Sequence, residues 1–425
     1  MLDKTHPTRS VSADWILNRI QKRKKVHLRN AVIKGDLDVS KLDLPTKHVD
    51  RTEYQQARGL LLESKIISSQ INIVNSKFEG IVNFSNCVFE ENGNFGGASF
   101  SKDAYFEGAS FSGHADFGGA CFDGNALFEG ASFSRNALFE EAYFGEMALF
   151  NRASFREGAG FNIASFSGCA GFDIASFSKE AWFIGTYFDG VVWFRGASFS
   201  KEAWFIEASF SKETWFNGAS FSRNAMFNGA SFRGDVLTFR DASFADPASQ
   251  EYVCIKAKNV LEKNGNREEA GLHFYREMEA KRIQKGIRGN SGLSLIDCLK
   301  TDTWSFWRFF WYDAIEWLFA QVMFGYGVHF ERLIASWAVI VVLFSGLYYS
   351  GDAISGVSSV FDYLKVSFAT AIAPGYIAVI LNPSNSTGGY RLTSGCYQAA
   401  AMVETLLGSF LWAGFIATFA KKYMR

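Results

Sequence analysis

Few residues in this chain have the types and spacing that chemistry needs. The six histidines (His6, His27, His48, His114, His273 and His329) show no ligand spacing. The six cysteines (Cys87, Cys121, Cys169, Cys254, Cys298 and Cys396) contain no C-x-x-C pair. Neither a zinc site nor a disulfide framework is expected. No Ser-His-Asp, Cys-His or phosphate-loop arrangement is visible, so the reading is a non-enzyme with no catalytic residue, metal or cofactor. One acid stands out by its surroundings. Glu404 is the single charge in the 24 residues from Tyr397 to Ala420. In a membrane such a group lines a path for ions or pairs with a partner. A ring of Glu404 carboxylates would favour cations; the alternative is a structural hydrogen bond to a helix behind the path. Both readings stay open.

The elements that position these residues begin with a repeat. Phenylalanine occupies 29 consecutive lattice points from Phe78 to Phe232, at spacings alternating six and five. A period of eleven held over 154 residues means a solenoid of like coils. From Phe100 onward nearly every Phe has Ala two positions earlier, as in Ala104-Tyr105-Phe106; Thr186, Val192 and Thr214 depart. Two apart on an extended backbone is one face, so Ala and Phe point inward and the residue between points out. Ser-Lys-Glu (178–180) and Ser-Arg-Asn (134–136, 222–224) suit corners. A helical coiled coil is excluded, because residues five apart on a helix lie about 140° apart.

On these residues the chain resembles the pentapeptide-repeat family, whose members fold as a right-handed four-sided β-helix. The family pattern is a strict five-residue A-x-[L/F]-x-x. Here every second corner carries an extra residue, giving 22 per coil. Leu62, Ile67 and Ile73 extend the lattice backward, and Leu28, Ile33, Val39 and Leu44 keep the same rhythm before an inserted loop at 45–61. About nine coils are expected. Ser12–Gln21 reads as a helix, with Trp15, Ile16 and Ile20 covering the first coil. The outward residues Trp182, Trp193, Trp204 and Trp215 form two stripes and are interface candidates for a cytosolic protein partner; stacking on the next coil is the plainer alternative. The formal net charge is zero, which argues against nucleic acid as a partner and against the acidic DNA mimicry that the resemblance would otherwise suggest. The N-terminus, Met1-Leu2-Asp3-Lys4, lacks the apolar core of a signal peptide, so the β-helix is expected in the cytosol.

After Phe244 the composition changes. Residues 249–287 are polar and helical in pattern, with Leu272, Tyr275 and Met278 or Glu279 at helical spacing, as if packing on the last coil or a neighbouring subunit. The basic end (Lys281, Arg282, Lys285, Arg288) faces either anionic headgroups or water. Residues 304–324 are aromatic but include Arg308, Asp313 and Glu316, and read as an interfacial helix. Leu333 to Gly351 holds no charge over 19 residues, enough to cross a bilayer. Tyr397 to Ala420 is a second crossing. Val366 to Tyr390 is uncharged but contains Pro374, Asn382 and Pro383, so it could cross or re-enter. Basic residues gather before the first crossing and after the last (Lys421, Lys422, Arg425), with only Lys365 and Arg391 between. Both termini are therefore expected to be cytoplasmic, with an even number of crossings and 353–396 on the far side or dipping in.

Helix, re-entrant segment, helix resembles the two-transmembrane potassium-channel-like pore family. Tyr363 to Thr370 is similar to its pore helix, and Val403 to Leu411 to its inner helix, with Gly408 at the hinge position. The resemblance implies a homotetramer in the cell membrane passing monovalent cations, with a filter at Thr370, Ala373, Pro374, Gly375, Tyr376 and Ile377. Against the family's T-V-G-Y-G-D only the central Gly-Tyr survives. Gly325-Tyr326-Gly327 also spells a filter core, but precedes the first crossing and reads as a turn. The expected organisation is a helical cap at 1–25, the β-helix at 26–245, an amphipathic linker at 246–302, an interfacial helix and turn at 303–332, and a pore-like domain at 333–425, re-entrant at about 360–381. Two functions fit: an ion-channel-like membrane protein with a regulatory or assembly β-helix, weakly selective and cation-preferring, or a non-conducting membrane-tethered scaffold for protein partners.

Overall fold

The computed structural model describes residues 9–49, 56, 61–289, 330–355, 359–372, 391–392 and 395–423. It forms two compact units, Met1–Gln284 and Lys285–Arg425. The first is a parallel β-solenoid of about ten turns. Four parallel sheets run along it, with ten, ten, nine and nine strands. Most strands are two residues long, because only the pair between two corners is extended.

Each coil visits the sheets in one order, and each sheet takes its name here from its outward residues. The first carries Trp182 and Trp204 in register, the second Tyr143 and Tyr187, the third Trp193 and Trp215. The fourth is a serine sheet, with Ser132, Ser154, Ser176 and Ser198 stacked in register.

The inward Phe residues form four ladders. The Phe139, Phe161 and Phe183 ring centroids are 4.9 Å apart at each step, with planes within 5°. Ladders on opposite sides meet edge to face across the core, as Phe161 and Phe172 do at 5.4 Å and 90°. Both arrangements suit the ring quadrupole, adding about 0.5–1.5 kcal/mol per pair to the burial of the rings. The inward Ala leaves room for these rings.

The alternation of five and six has a backbone cause. From Phe95 onward every five-residue corner closes a turn in which the residue after the corner donates back to the Phe carbonyl, as Ala109 N–H does to Phe106 at 3.0 Å. The third residue of that turn needs φ > 0, which favours Gly. Gly108 is there at φ 63°. Ile163 and Ile174 hold the same position at φ 59° and 58°, where a β-branched residue is strained.

The ends differ from the simple lattice. Arg9–Ser12 adds a strand beside Ala31–Lys34 ahead of helix α1 (Ala13–Gln21), so the tyrosine sheet has ten strands rather than nine. Ser12 caps α1 by accepting from the Asp14 N–H at 3.1 Å. Ile16 and Ile20 are buried, but Trp15 is exposed, with the Arg9 and Arg19 guanidinium carbons 5.9 and 5.0 Å from its ring. Trp15 therefore does not cover the coil. The rhythm runs on to Leu44, which is buried with Leu28, Ile33 and Val39, but it does not pass through Leu62. Thr46–His48 turns back antiparallel to Glu63–Ile67, and Ile67 is the inward residue on the fourth sheet. Leu62 is 40% exposed. At the other end, one added residue after Phe232 interrupts the spacing, yet Phe239 and Phe244 continue the stacks at 4.8 Å.

Two helices cap the last coil. In α2 (Pro247–Lys263), Asp246 is the N-cap, accepting from the Ser249 and Ala248 N–H groups. The chain turns at Gly265 (φ 79°) into α3 (Arg267–Gly289). The face of α3 turned inward carries Ala270, His273, Glu277 and Ala280, all buried, rather than the expected Leu272, Tyr275 and Met278, which are half-buried. Arg276 donates to the Phe239 and Ala242 carbonyls at the open edge, and Glu277 pairs with Lys258 of α2 at 2.6 Å.

Candidate functional site in the C-terminal helices

Among the described residues the second unit carries the helices α4 (Phe330–Ser350), α5 (Val360–Ile372) and α6 (Gly395–Tyr423). A short antiparallel pair, Ile354–Ser355 with Arg391–Leu392, ties the segment between them. Glu331–Ser350 and Gly395–Ile416 are long and apolar enough to cross a membrane.

The two run antiparallel. Trp337 near the start of α4 stacks on Trp412 late in α6, centroids 5.4 Å apart, while Tyr348 near the end of α4 meets Glu404 of α6. Leu333, Trp337, Ile340, Phe344 and Tyr348 recur every three or four residues, so one stripe of α4 faces α6. The other stripes of both helices are apolar and exposed: Val339, Val342 and Leu343 of α4, and Met402, Leu406 and Phe410 of α6.

Glu404 sits where all three helices meet and has no exposed surface. The Tyr348 hydroxyl of α4 donates to its Oε2 at 2.7 Å. Its Oε1 is bonded to the Ser367 hydroxyl of α5, which also lies 2.9 Å from the Val341 carbonyl of α4. An unpaired acid here would be costly, and two hydroxyl donors supply what water would. Its carboxyl faces α4 and α5, not the exposed side of α6.

Gly408, one turn further along α6, allows the second contact with α5. A Cβ there would fall 2.0 Å from the Ala371 carbonyl oxygen. Only glycine lets the α6 backbone lie on the C-terminal turn of α5. At Gly351 a Cβ would meet the Tyr397 hydroxyl oxygen at 1.7 Å, the far end of a side chain that can turn aside, so the requirement for glycine is weaker there than at Gly408. Thr370 is buried and donates to Val366 of its own helix at 2.8 Å. Ala373, Pro374, Gly375, Tyr376 and Ile377 lie outside the described residues, as do 304–324 and Gly325-Tyr326-Gly327.

Sequence reasoning missed Ser367 and Tyr348. Ser367 carried a usable signal, a hydroxyl within an apolar helix. Tyr348 carried none, because tyrosine at the end of a crossing is ordinary. On the solenoid, the four candidate tryptophans are partly exposed. Trp215 donates from Nε1 to Glu213 at 3.3 Å, while the Trp204 Nε1 is buried with no partner among the described residues. Among the described residues there is no group of histidine, cysteine or acid that could hold a metal.

Residues 73–120, 84–132 and 194–243 match the family model described as pentapeptide repeats (9 copies). The matched segments are coils of the solenoid, which is therefore built of pentapeptide repeats. No curated protein and no solved structure matches the chain.

Proposed function

We propose that this is a pentapeptide-repeat membrane protein whose C-terminal unit assembles as a fourfold ring around an ion path. The solenoid, in this reading a right-handed four-sided β-helix, is its cytosolic regulatory or assembly part, and both termini are cytoplasmic. The observation that carries the proposal is the placement of α5. At 13 residues it is about 20 Å long, too short to cross a bilayer of about 30 Å. Yet it is held between two span-length antiparallel helices, by Glu404 at one level and Gly408 at the next. A half-length helix fixed behind an inner helix is what a re-entrant pore segment needs. The exposed apolar stripes of α4 and α6 supply surface for lipid and for neighbouring copies.

In this proposal Glu404 ties α5 to α4 and α6, and does not line the path. The conducted species are monovalent cations, passed with weak selectivity. The expected potassium ladder of stacked carbonyls fails at Pro374, which has no N–H, and at Ile377, which resists φ > 0. No catalytic activity, cofactor or nucleic-acid partner is proposed. The test is the purified chain in a planar bilayer. Unitary currents with little discrimination between potassium and sodium are expected. Silence across membrane potentials would favour the second reading, a non-conducting scaffold, whose support is the same departure at Pro374 and Ile377.

A further inference from the structure

The outward column of the tyrosine sheet is uneven in a regular way. In register it reads Cys121, Tyr143, Ser165, Tyr187, Ser209, Ser231. Tyr143 and Tyr187 are 41% and 51% exposed, large values for aromatic side chains on a sheet. Beneath them the Phe144, Phe166 and Phe188 centroids are 4.6 and 4.9 Å apart. The two tyrosines are therefore two such steps apart, with a serine notch between. Tyr143 leans toward this level, its hydroxyl accepting from the Ser167 hydroxyl at 3.3 Å, and a further ring entering over Ser165 would replace that contact with stacking between the two tyrosines. The outer ladder is an aromatic stack with alternate rungs missing.

We propose that a second copy of this chain supplies the missing rungs. The two solenoids pack tyrosine sheet to tyrosine sheet, antiparallel, about a twofold axis between the Phe166 and Phe188 rungs. That operation sets Tyr187 of each copy over Ser165 of the other and Tyr143 over Ser209, so four rings interleave. It brings like edges together. On the edge shared with the Trp193 sheet, Glu146 then faces Lys212 and Asp123 faces Arg233. All four are exposed, and among the described residues Glu146, Lys212 and Arg233 make no ion pair. On the other edge the exposed Ile163, strained at φ 59°, faces Gly185, a large residue against a small one.

Charge selects this register over its neighbours. Moving the axis to lie between the Phe144 and Phe166 rungs still interleaves the rings, but sets Asp123 against Asp189 and Lys102 against Lys212. A parallel pairing sets tyrosine against tyrosine. In the proposed register the one like-charged pair is Glu141 with Glu207, both exposed, where water screens it. The inference does not depend on conduction.

The test uses the full chain in detergent, with Cys121, Cys169, Cys298 and Cys396 replaced by Ser and the buried Cys87 and Cys254 kept. Two tagged forms are co-expressed, one carrying Ser167→Cys and the other Asp189→Cys, and treated with a short bis-maleimide. In this register those positions face each other. Cross-linking of Ser167→Cys to Asp189→Cys is expected, well above either homotypic product. Glu146→Lys in both forms should lower the yield several-fold, and adding Lys212→Glu should restore it. Absence of the mixed product overturns the proposal. A mixed product that ignores Glu146→Lys, or is not rescued by Lys212→Glu, overturns the register.

Discussion

At the scale of single residues, position on the lattice sets the consequence of a change. Phe161 is fully buried and stacked on both sides. Phe161→Ala should cost about 3–5 kcal/mol, because neighbouring coils locked by their own ladders cannot collapse into the space. Ser198→Asp, outward on the serine sheet, should change stability by under about 0.5 kcal/mol. Denaturant melts of the two variants decide this, and equal losses would contradict the inward–outward assignment. In the helical unit the comparison is between glycines. Gly408→Ala forces α6 off Ala371, whereas a Cβ at Gly346 meets nothing within 4 Å. Gly408→Ala should therefore lower the thermal midpoint in detergent, at a cost of about 1–3 kcal/mol or more. Gly346→Ala should raise it slightly, by about 0.5–1 kcal/mol of helix propensity.

At the scale of elements, the capping helices give the solenoid a pH dependence. His273 of α3 accepts from the Phe239 N–H through Nε2 at 3.4 Å, and its Nδ1 has no partner among the described residues. Burial, with Arg276 and Arg240 adding to it, pushes its pKa down to about 3 from the ordinary 6.5. A depressed pKa means the unfolded chain takes the proton first. The stability is therefore whole above pH 6.5 and falls as the pH drops toward 3. Between pH 7 and pH 5 the loss should be about 2 kcal/mol, from 1.36 kcal/mol per pKa unit. Asp246 acts in the same direction at lower pH. Burial alone would raise its pKa, but hydrogen bonds from Ser249 and Ala248 hold it below 3.8. Denaturation at pH 7 and pH 5, in the natural chain and in His273→Gln, tests the larger effect; an unchanged slope in His273→Gln would remove His273 as its source. The α3 face was not legible in the sequence. Its buried stripe includes a histidine and a glutamate, and apolar periodicity pointed to the half-buried Leu272 and Tyr275 instead.

At the scale of the whole molecule, the prediction is topological. If α4 and α6 both cross, as proposed, their antiparallel packing puts the segment joining them on one side of the membrane and the C-terminus on the other. In a chain whose Cys121, Cys169, Cys298 and Cys396 are replaced by Ser, Ser359→Cys should react with an impermeant maleimide from outside intact cells, and Ser200→Cys on the solenoid should not. Labelling of both, or neither, would break the two-crossing layout.

The repeat was readable from composition alone because each coil buries one residue type at one spacing, so the Phe lattice from Phe78 to Phe232 specified the solenoid without tertiary information. The two long apolar helices were readable for a similar reason, since a bilayer demands an unbroken apolar run. What only the folded chain decided lies where the pattern breaks. The antiparallel return of Thr46–His48, the fourth-sheet place of Ile67 and the continuation to Phe244 depend on which strand edge is open. The role of Glu404 depended on packing too. Its two hydroxyl partners lie 56 and 37 residues away along the chain, and only the meeting of α4, α5 and α6 shows that the acid faces inward.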